Sequence, residues 1–214
     1  MLIASYNKKQ LGDVLLVVTA PDCATQAAVT KGQITHIYDA ATKQTLGYNF
    51  FNVSEILPNI EGNGAIELNA TDVAALNQAL SQAGFEPMLA VDLEPKFVVG
   101  YVASLAEHPD SDHLHIAQVQ IDGQRTVQIV CGAPNIELNQ RVVVAKSGAM
   151  MPSGALIWPG ALRGVQSAGM LCSARELALP NAPQKRGILV LPESFEIGTA
   201  FDFAKAAQLF SPTN

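Results

Sequence analysis

Hydrophobic and polar positions divide this chain into two regimes. Up to residue 90, short apolar runs are separated by polar turns and one stretch has helical spacing. "DVLLVVT" at 13–19 is rich in leucine and β-branched residues between turn signals, which predicts a buried strand. "QITHIYDAATKQTLGYNF" predicts two strands around a polar turn at 40–43. In "EGNGAIEL", Asn63-Gly64 predicts a turn. Residues 69–84 predict a helix. Asn69 or Thr71 can cap it, Val73, Leu76 and Leu80 share a face, and Gly84 stands where a C′ residue belongs. Pro87 and Pro95 bracket a junction.

Beyond residue 91 the period changes to that of strands. "KFVVGYVASLAEH" is apolar, with Gly100 placed for a sharp bend. "HLHIAQVQIDGQRTVQIVCGAP" predicts a hairpin, with Asp122-Gly123 as a type I′ turn. "QRVVVAKSGAMMPSGALIW" predicts a second pair that turns at Pro152-Ser153-Gly154. "RGILVLP" is a last short strand, "PNAPQK" at 180–185 a loop, and "AFDFAKAAQLF" a short C-terminal helix whose exposed face offers a partner surface. Strands at this spacing suggest a small closed or nearly closed barrel. The expected fold is mainly β with α+β character. It comprises a small α+β domain over 1–90, a barrel over 91–203, and a tail or short helix over 204–214.

Composition narrows the class. The 214 residues are 49% hydrophobic, enough for one large core or two modest ones. No apolar run approaches the roughly 20 residues of a membrane helix. Lys8 and Lys9 before "VLLVVTA" mimic a secretory leader, but Asp13 interrupts and no small-x-small cleavage site follows. Cys23, Cys131 and Cys172 are odd in number and widely spaced, which disfavours a disulfide framework or a thiolate zinc site. A reducing cytoplasm is the expected compartment. The net charge is −6, with neither half basic, so a non-specific polyanion binder is disfavoured while a local basic patch is not.

Three kinds of chemistry are open to the polar residues. "HPDSDHLH" supplies His108, Asp110, Asp112, His113 and His115, and alternation puts His113 and His115 on one strand face. They suit zinc only if further ligands converge. Otherwise they are solvated strand residues, or weak pH-dependent cations facing phosphates. Cys131 and Cys172 follow apolar runs and read as small buried hydrophobes, not nucleophiles. "VQSAG" misses the G-x-S-x-G elbow, and no phosphate loop or dinucleotide fingerprint occurs. Recognition fits better. Asn135 in "CGAPN", Lys146 and Ser147 in "AKSG", Arg163 in "LRG", and Ser173 and Arg175 in "CSARE" fall at strand ends and loops, where barrels present binding surfaces. Arginine offers a planar fork to phosphates, and hydroxyls add bonds.

"FVVGYVASLAEHPDSDHLHIAQVQI", "QIVCGAPNI", "VVVAKSGAMMPSG" and "LRGVQSAGMLCSARELAL" together resemble the tRNA-binding domain of the bacterial phenylalanyl-tRNA synthetase β chain, of methionyl-tRNA synthetase extensions and of stand-alone tRNA-binding proteins. With its preceding α+β unit, the chain is similar to YtpR-type proteins. The resemblance covers about residues 91–203. It implies a five-stranded OB-fold barrel and non-catalytic binding of tRNA by backbone and shape, without cofactor or metal. Expected RNA-binding residues are His113, His115, Asn135, Lys146, Ser147, Arg163, Ser173 and Arg175. His113 and His115 stand where such domains usually carry a lysine and another basic residue, and Ile157, Trp158 and Pro159 replace cations before the L-R-G motif. These departures, with the acidic balance, frame the alternative of a protein-interaction module that has lost RNA binding. A homodimer and an aminoacyl-tRNA synthetase or other translation protein are the further partners implied.

Overall fold

The computed structural model describes residues 1–123 and 125–210. The chain divides between Glu94 and Pro95 into two units, each with its own core.

In the first unit, β1 (Ile3–Asn7) and β2 (Val14–Val18) are joined by one helical turn, α1 (Lys8–Leu11), whose Gln10 N–H donates to the Asn7 side chain. With β3 (Gln26–Lys31), β4 (Ile34–Asp39), β5 (Thr45–Phe51) and β6 (Asn63–Ile66) they form an antiparallel sheet in the order β3-β4-β5-β2-β1-β6. Alternation turns Tyr6, Leu15, Val17, Ile34, Tyr48 and Phe50 into one core, shared with Val73, Leu76 and Leu80 of helix α2 (Ala70–Gln82). Asn69 caps α2 and Asp72 reaches back to the Asn69 N–H, a full capping box. At the other end Gly84 takes φ 74°, and the Phe85 N–H donates to the Leu80 carbonyl, the Schellman arrangement. Asn63-Gly64 is not a turn. Both residues lie in β6, opposite Asn7 and Tyr6 of β1, so the pairing supplied by β1 overrides the local turn propensity.

A polar group closes this core. Asp13 accepts from the Ser54 hydroxyl (2.5 Å) and N–H (3.3 Å) and from the Tyr6 hydroxyl (2.8 Å). The Ser54 hydroxyl is the main reason the Asp13 carboxyl titrates below its usual range, with Tyr6 adding to it against the opposing effect of burial. A depressed folded-state value gives stability that is fully present above the unfolded value of about 3.9 and is lost as pH falls through the folded one. Urea midpoints of the first unit's transition should therefore drop between pH 6 and pH 3, and Asp13→Asn should remove part of that drop.

In the second unit, β7 (Phe97–His108) serves two partners. Its first half pairs with β10 (Arg141–Lys146) and the remainder with β8 (Ser111–Gln120). Gly100 permits the bend, since a Cβ there would lie 2.6 Å from Val144 and 2.7 Å from Val119. The path continues from β8 to β9 (Thr126–Cys131). On the other side β10 pairs with β13 (Gly169–Leu171) and with the short β14 (Val190–Leu191). The two edges meet. The Ala168 N–H donates to the Gln128 carbonyl (2.8 Å), and the Val130 N–H donates to the Ser167 hydroxyl (3.1 Å). The result is the OB-fold arrangement around Val102, Val119, Ile129, Val142, Val144 and Leu171. A second apolar cluster joins Val143 and Cys172 to Phe195, Phe201 and Ala206, the last in α3 (Phe203–Ala206). The C-terminal stretch expected as tail or short helix thus packs into the unit through Ala206; residues 211–214 lie outside the described residues.

Two turns differ from expectation. The β8–β9 hairpin forms, but Gln120 faces Thr126 and the Ile121 N–H donates to the Arg125 carbonyl, so the loop is longer than two residues. Gly123 is not left-handed, so the loop is not type I′; Gln124 lies outside the described residues. After β10, residues 148–157 fold back as a narrow turn with one bridge, Met150 to Leu156, and do not pair with β10 itself.

Candidate nucleic-acid interface

The segment from Leu162 to Leu179 carries short strands as far as Leu171 and then a turn. β11 (Gly160–Leu162) and β12 (Val165–Ser167) form a hairpin, and β13 follows directly. Its turn is Arg163-Gly164, both left-handed at φ 44° and 82°, the backbone of a two-residue type I′ turn. This turn docks on the tip between β7 and β8. His108 is 4% exposed. Its Nδ1 accepts the Asp110 N–H (3.1 Å), so the proton is on Nε2, which donates to the Leu162 carbonyl (3.1 Å). Arg163 Nη1 donates to the Asp110 carbonyl at 2.7 Å. Arg163 is therefore anchored by backbone oxygen and not neutralised by a carboxylate. His108, which the sequence marked only as part of a polar cluster, acts as the buried post of this junction.

A second cationic site lies where β13 runs out. Ser173 and Glu176 cap one helical turn: the Ser173 N–H and hydroxyl both donate to Glu176 Oε2 (2.8 and 2.7 Å), and the Glu176 N–H donates back to the hydroxyl (3.1 Å). Ser173 is thereby occupied as a cap, and Arg175 is held exposed on the turn. Arg175 shares a cleft of about 240 Å³ with Lys185 and Arg186, over a floor that includes Cys131, Met170 and Ile188. None of these three cations bonds or pairs with another described residue. The cleft's one carboxylate, Glu176, is already taken by Ser173. Lys185 and Arg186 were not among the residues expected from sequence. Their only local signal is two adjacent cations between a proline-bearing loop and Gly187.

Asn135 supports this cleft from beneath. Its Oδ1 accepts the Ile188 N–H (2.8 Å) and its Nδ2 donates to the Ile188 carbonyl (3.0 Å). The side chain serves as a two-bond clamp on Ile188, at the end of the loop that carries Lys185 and Arg186. Lys146 and Ser147 are not brought into the cluster. Lys146 pairs with Gly169 at the start of β13, and Ser173 lies four residues further on, about 13 Å at strand rise. The two histidines each stand beside a carboxylate. Exposed His113 lies 3.3 Å from Asp112, and half-buried His115 lies 3.6 Å from Glu107. The expected set thus separates into Arg163 at the hairpin tip, Arg175 at the cleft, Asn135 and Ser173 as supports, and Lys146 with Ser147 elsewhere.

The electrostatics are more favourable than the whole-chain charge suggests. The first unit has four basic against ten acidic residues and carries the entire −6; residues 95–214 have nine of each. Three of those nine cations fall between 175 and 186. Both thiols of this unit are buried, which pushes Cys172 up to about 12 and raises Cys131 as well, so neither is a thiolate near neutral pH. Among the described residues, no three His, Cys, Asp or Glu side chains gather as a metal ligand set. No helix among them is long and apolar enough to cross a membrane.

Comparison with known proteins matches residues 97–200 to the family described as "Putative tRNA binding domain" and residues 21–92 to one described as "Domain of unknown function". A Bacillus subtilis protein named "Putative tRNA-binding protein YtpR" is 49% identical over 201 residues, covering 94% of this chain and 99% of that one. The phenylalanine–tRNA ligase β subunit of Nitratidesulfovibrio vulgaris is 48% identical over 106 residues, which are 50% of this chain and 13% of the subunit. Among solved structures, the C-terminal domain of Plasmodium vivax p43 aligns with 48% of this chain and 56% of that one at 22% identity and a TM-score of 0.35.

Proposed function

The chain belongs to the family of the YtpR tRNA-binding protein of Bacillus subtilis, and from that premise we propose that it binds tRNA without catalysis, through the barrel of residues 95–214. The observation that carries this reading is the convergence of Arg175, Lys185 and Arg186 on one cleft whose single carboxylate is engaged elsewhere. Arg163 adds a fourth cation at the hairpin tip, set in place by Asp110 and His108. Stacking contributes little at this cleft, since no aromatic ring is among the residues that line it. Recognition rests on phosphates and 2′-hydroxyls of folded RNA. Both buried cysteines are protonated, which supports a non-enzymatic role. A cytoplasmic location, a homodimer and association with an aminoacyl-tRNA synthetase or another translation protein belong to the same reading.

Filter binding of tRNA across a salt series tests it. Three to four phosphate contacts predict that log K falls against log salt with a slope of about −2 to −4. A flat response, or no binding at low salt, would remove the phosphate contacts and the proposal with them.

A further inference from the structure

The first unit presents a second surface that the barrel's reading leaves unused. On β4, Ile34, His36 and Tyr38 share a sheet face, and Tyr48 and Phe50 of β5 stand opposite His36 and Ile34. The core shared with α2 takes in Ile34, Tyr48 and Phe50. Past the helix end, rings continue across the open face. His36 stacks on Tyr48 (4.9 Å, 20°) and on Tyr38 (5.2 Å, 27°), and Phe85 meets His36 edge-on at 5.6 Å. Ala27 and Val29 of β3 extend the face opposite Tyr38 and His36. Tyr48 is fully buried; His36, Tyr38 and Phe85 are only part-buried, and Val29 is exposed. Two ammonium groups rim the patch. Lys31 Nζ lies 4.5 Å from the Phe85 ring centre and donates to the Gly84 carbonyl, and Lys43 Nζ lies 5.5 Å from the centre of Tyr38. These are two of the four cations in an otherwise acidic unit. Of the adjoining carboxylates, Asp39 is occupied by Thr25, Thr42 and the Ala41 N–H, while exposed Glu86 lies close enough to act on Tyr48.

We propose that this face of the first unit binds unpaired nucleotides, with bases stacking on Tyr38, His36 and Phe85 and flanking phosphates meeting Lys43 and Lys31. The near-parallel Tyr38 and His36 rings, with Phe85 edge-on beside them and an ammonium at each side, match a base joined to its phosphate. A protein anchor calls instead for an apolar pocket walled by further hydrophobes, and Val29 is the one large exposed hydrophobe on these strand positions. Burial and the nearby Lys31 hold the His36 imidazole below its ordinary titration range, so the ring stacks as a neutral aromatic at pH 7. The proposal concerns a different unit from the tRNA reading and does not rest on it.

The test is fluorescence anisotropy of the full chain with a labelled single-stranded hexa-adenylate. The same titration is run in the Arg175→Ala/Lys185→Ala/Arg186→Ala chain, which isolates binding by the first unit whatever becomes of the tRNA reading. In both backgrounds Tyr38→Ala should weaken the Tyr38-dependent component about tenfold, the scale of one lost base stack. Tyr38→Phe should retain it, and exposed Lys43→Ala should weaken it and flatten its salt dependence. Lys43→Ala decides the matter if circular dichroism finds Tyr38→Ala unfolded. Absence of hexamer binding in the triple variant, or equal affinities with and without Tyr38 and Lys43, overturns the proposal. So does capture of a protein on this face by a chain that binds no hexamer.

Discussion

Replacing Arg175, Lys185 and Arg186 together by alanine should weaken tRNA binding about a hundredfold or more near 0.1 M salt, because each released phosphate contact is worth about 1 kcal/mol there. The slope of log K against log salt should flatten by about 2 to 3 in the same variant. The fold should not change. All three side chains are exposed, and none bonds or pairs with another described residue, so nothing in the protein loses a partner. That separates this experiment from the usual ambiguity of a loss-of-binding mutant. Lys146→Ala serves as the comparison, since Lys146 is not among the residues that line the cleft. If Lys146→Ala costs as much affinity as the triple change, the cleft is not the site. If the triple variant loses affinity with no change in salt slope, the contacts are not phosphates.

Legibility followed range of interaction. The helix over 70–82 was readable because every signal it uses is local: the Asn69 cap, the Leu76–Leu80 spacing and the Gly84 stop lie within one stretch. Strands β2, β5 and β7 were readable as apolar runs between turn signals, and β8 and β9 as a hairpin of two alternating runs. Edge strand β3 and strand β1 were not, since "QAAVTK" is mostly exposed and "IASYN" is short, and their pairing comes from partners distant in sequence. The same distance misplaced the turns. Asn63-Gly64 has turn chemistry but is captured by β1, whereas Arg163, a poor left-handed residue, is forced to φ 44° because Leu162 and Val165 pair on either side of it. At the site, Arg163 and Arg175 were legible as cations in loops. Lys185 and Arg186 were hidden because only the fold carries them beside Arg175. The aromatic face of the first unit was hidden for the same reason: His36 and Tyr38 sit on one strand, but Tyr48 and Phe85 reach them from elsewhere.

Asn135→Ala should destabilise the second unit by about 2 to 4 kcal/mol, because it strands both the N–H and the carbonyl of Ile188 without partners. Ile188 is 8% exposed, so water cannot readily replace the amide. The amide does what a neighbouring strand would do, accepting and donating to one residue across 53 positions of sequence. The close approach also fixes Gly187: a Cβ there would fall 2.6 Å from Asn135 Oδ1, and its φ of 139° is open to glycine alone. Asn135→Asp makes the argument specific. It is nearly isosteric and keeps an acceptor for the Ile188 N–H, but it sets a carboxylate oxygen against the Ile188 carbonyl, so it should fall close to Asn135→Ala in stability and not close to the unaltered chain. Binding should follow through the loop. With Ile188 released, Lys185 and Arg186 lose their fixed distance from Arg175, and tRNA affinity should drop about tenfold at temperatures where the unit remains folded, from the entropy of re-ordering the loop. A direct contact between Asn135 and RNA predicts the reverse pattern, affinity lost with the urea midpoint unmoved. Urea melts and tRNA titrations on the same two variants therefore decide between a clamp and a contact.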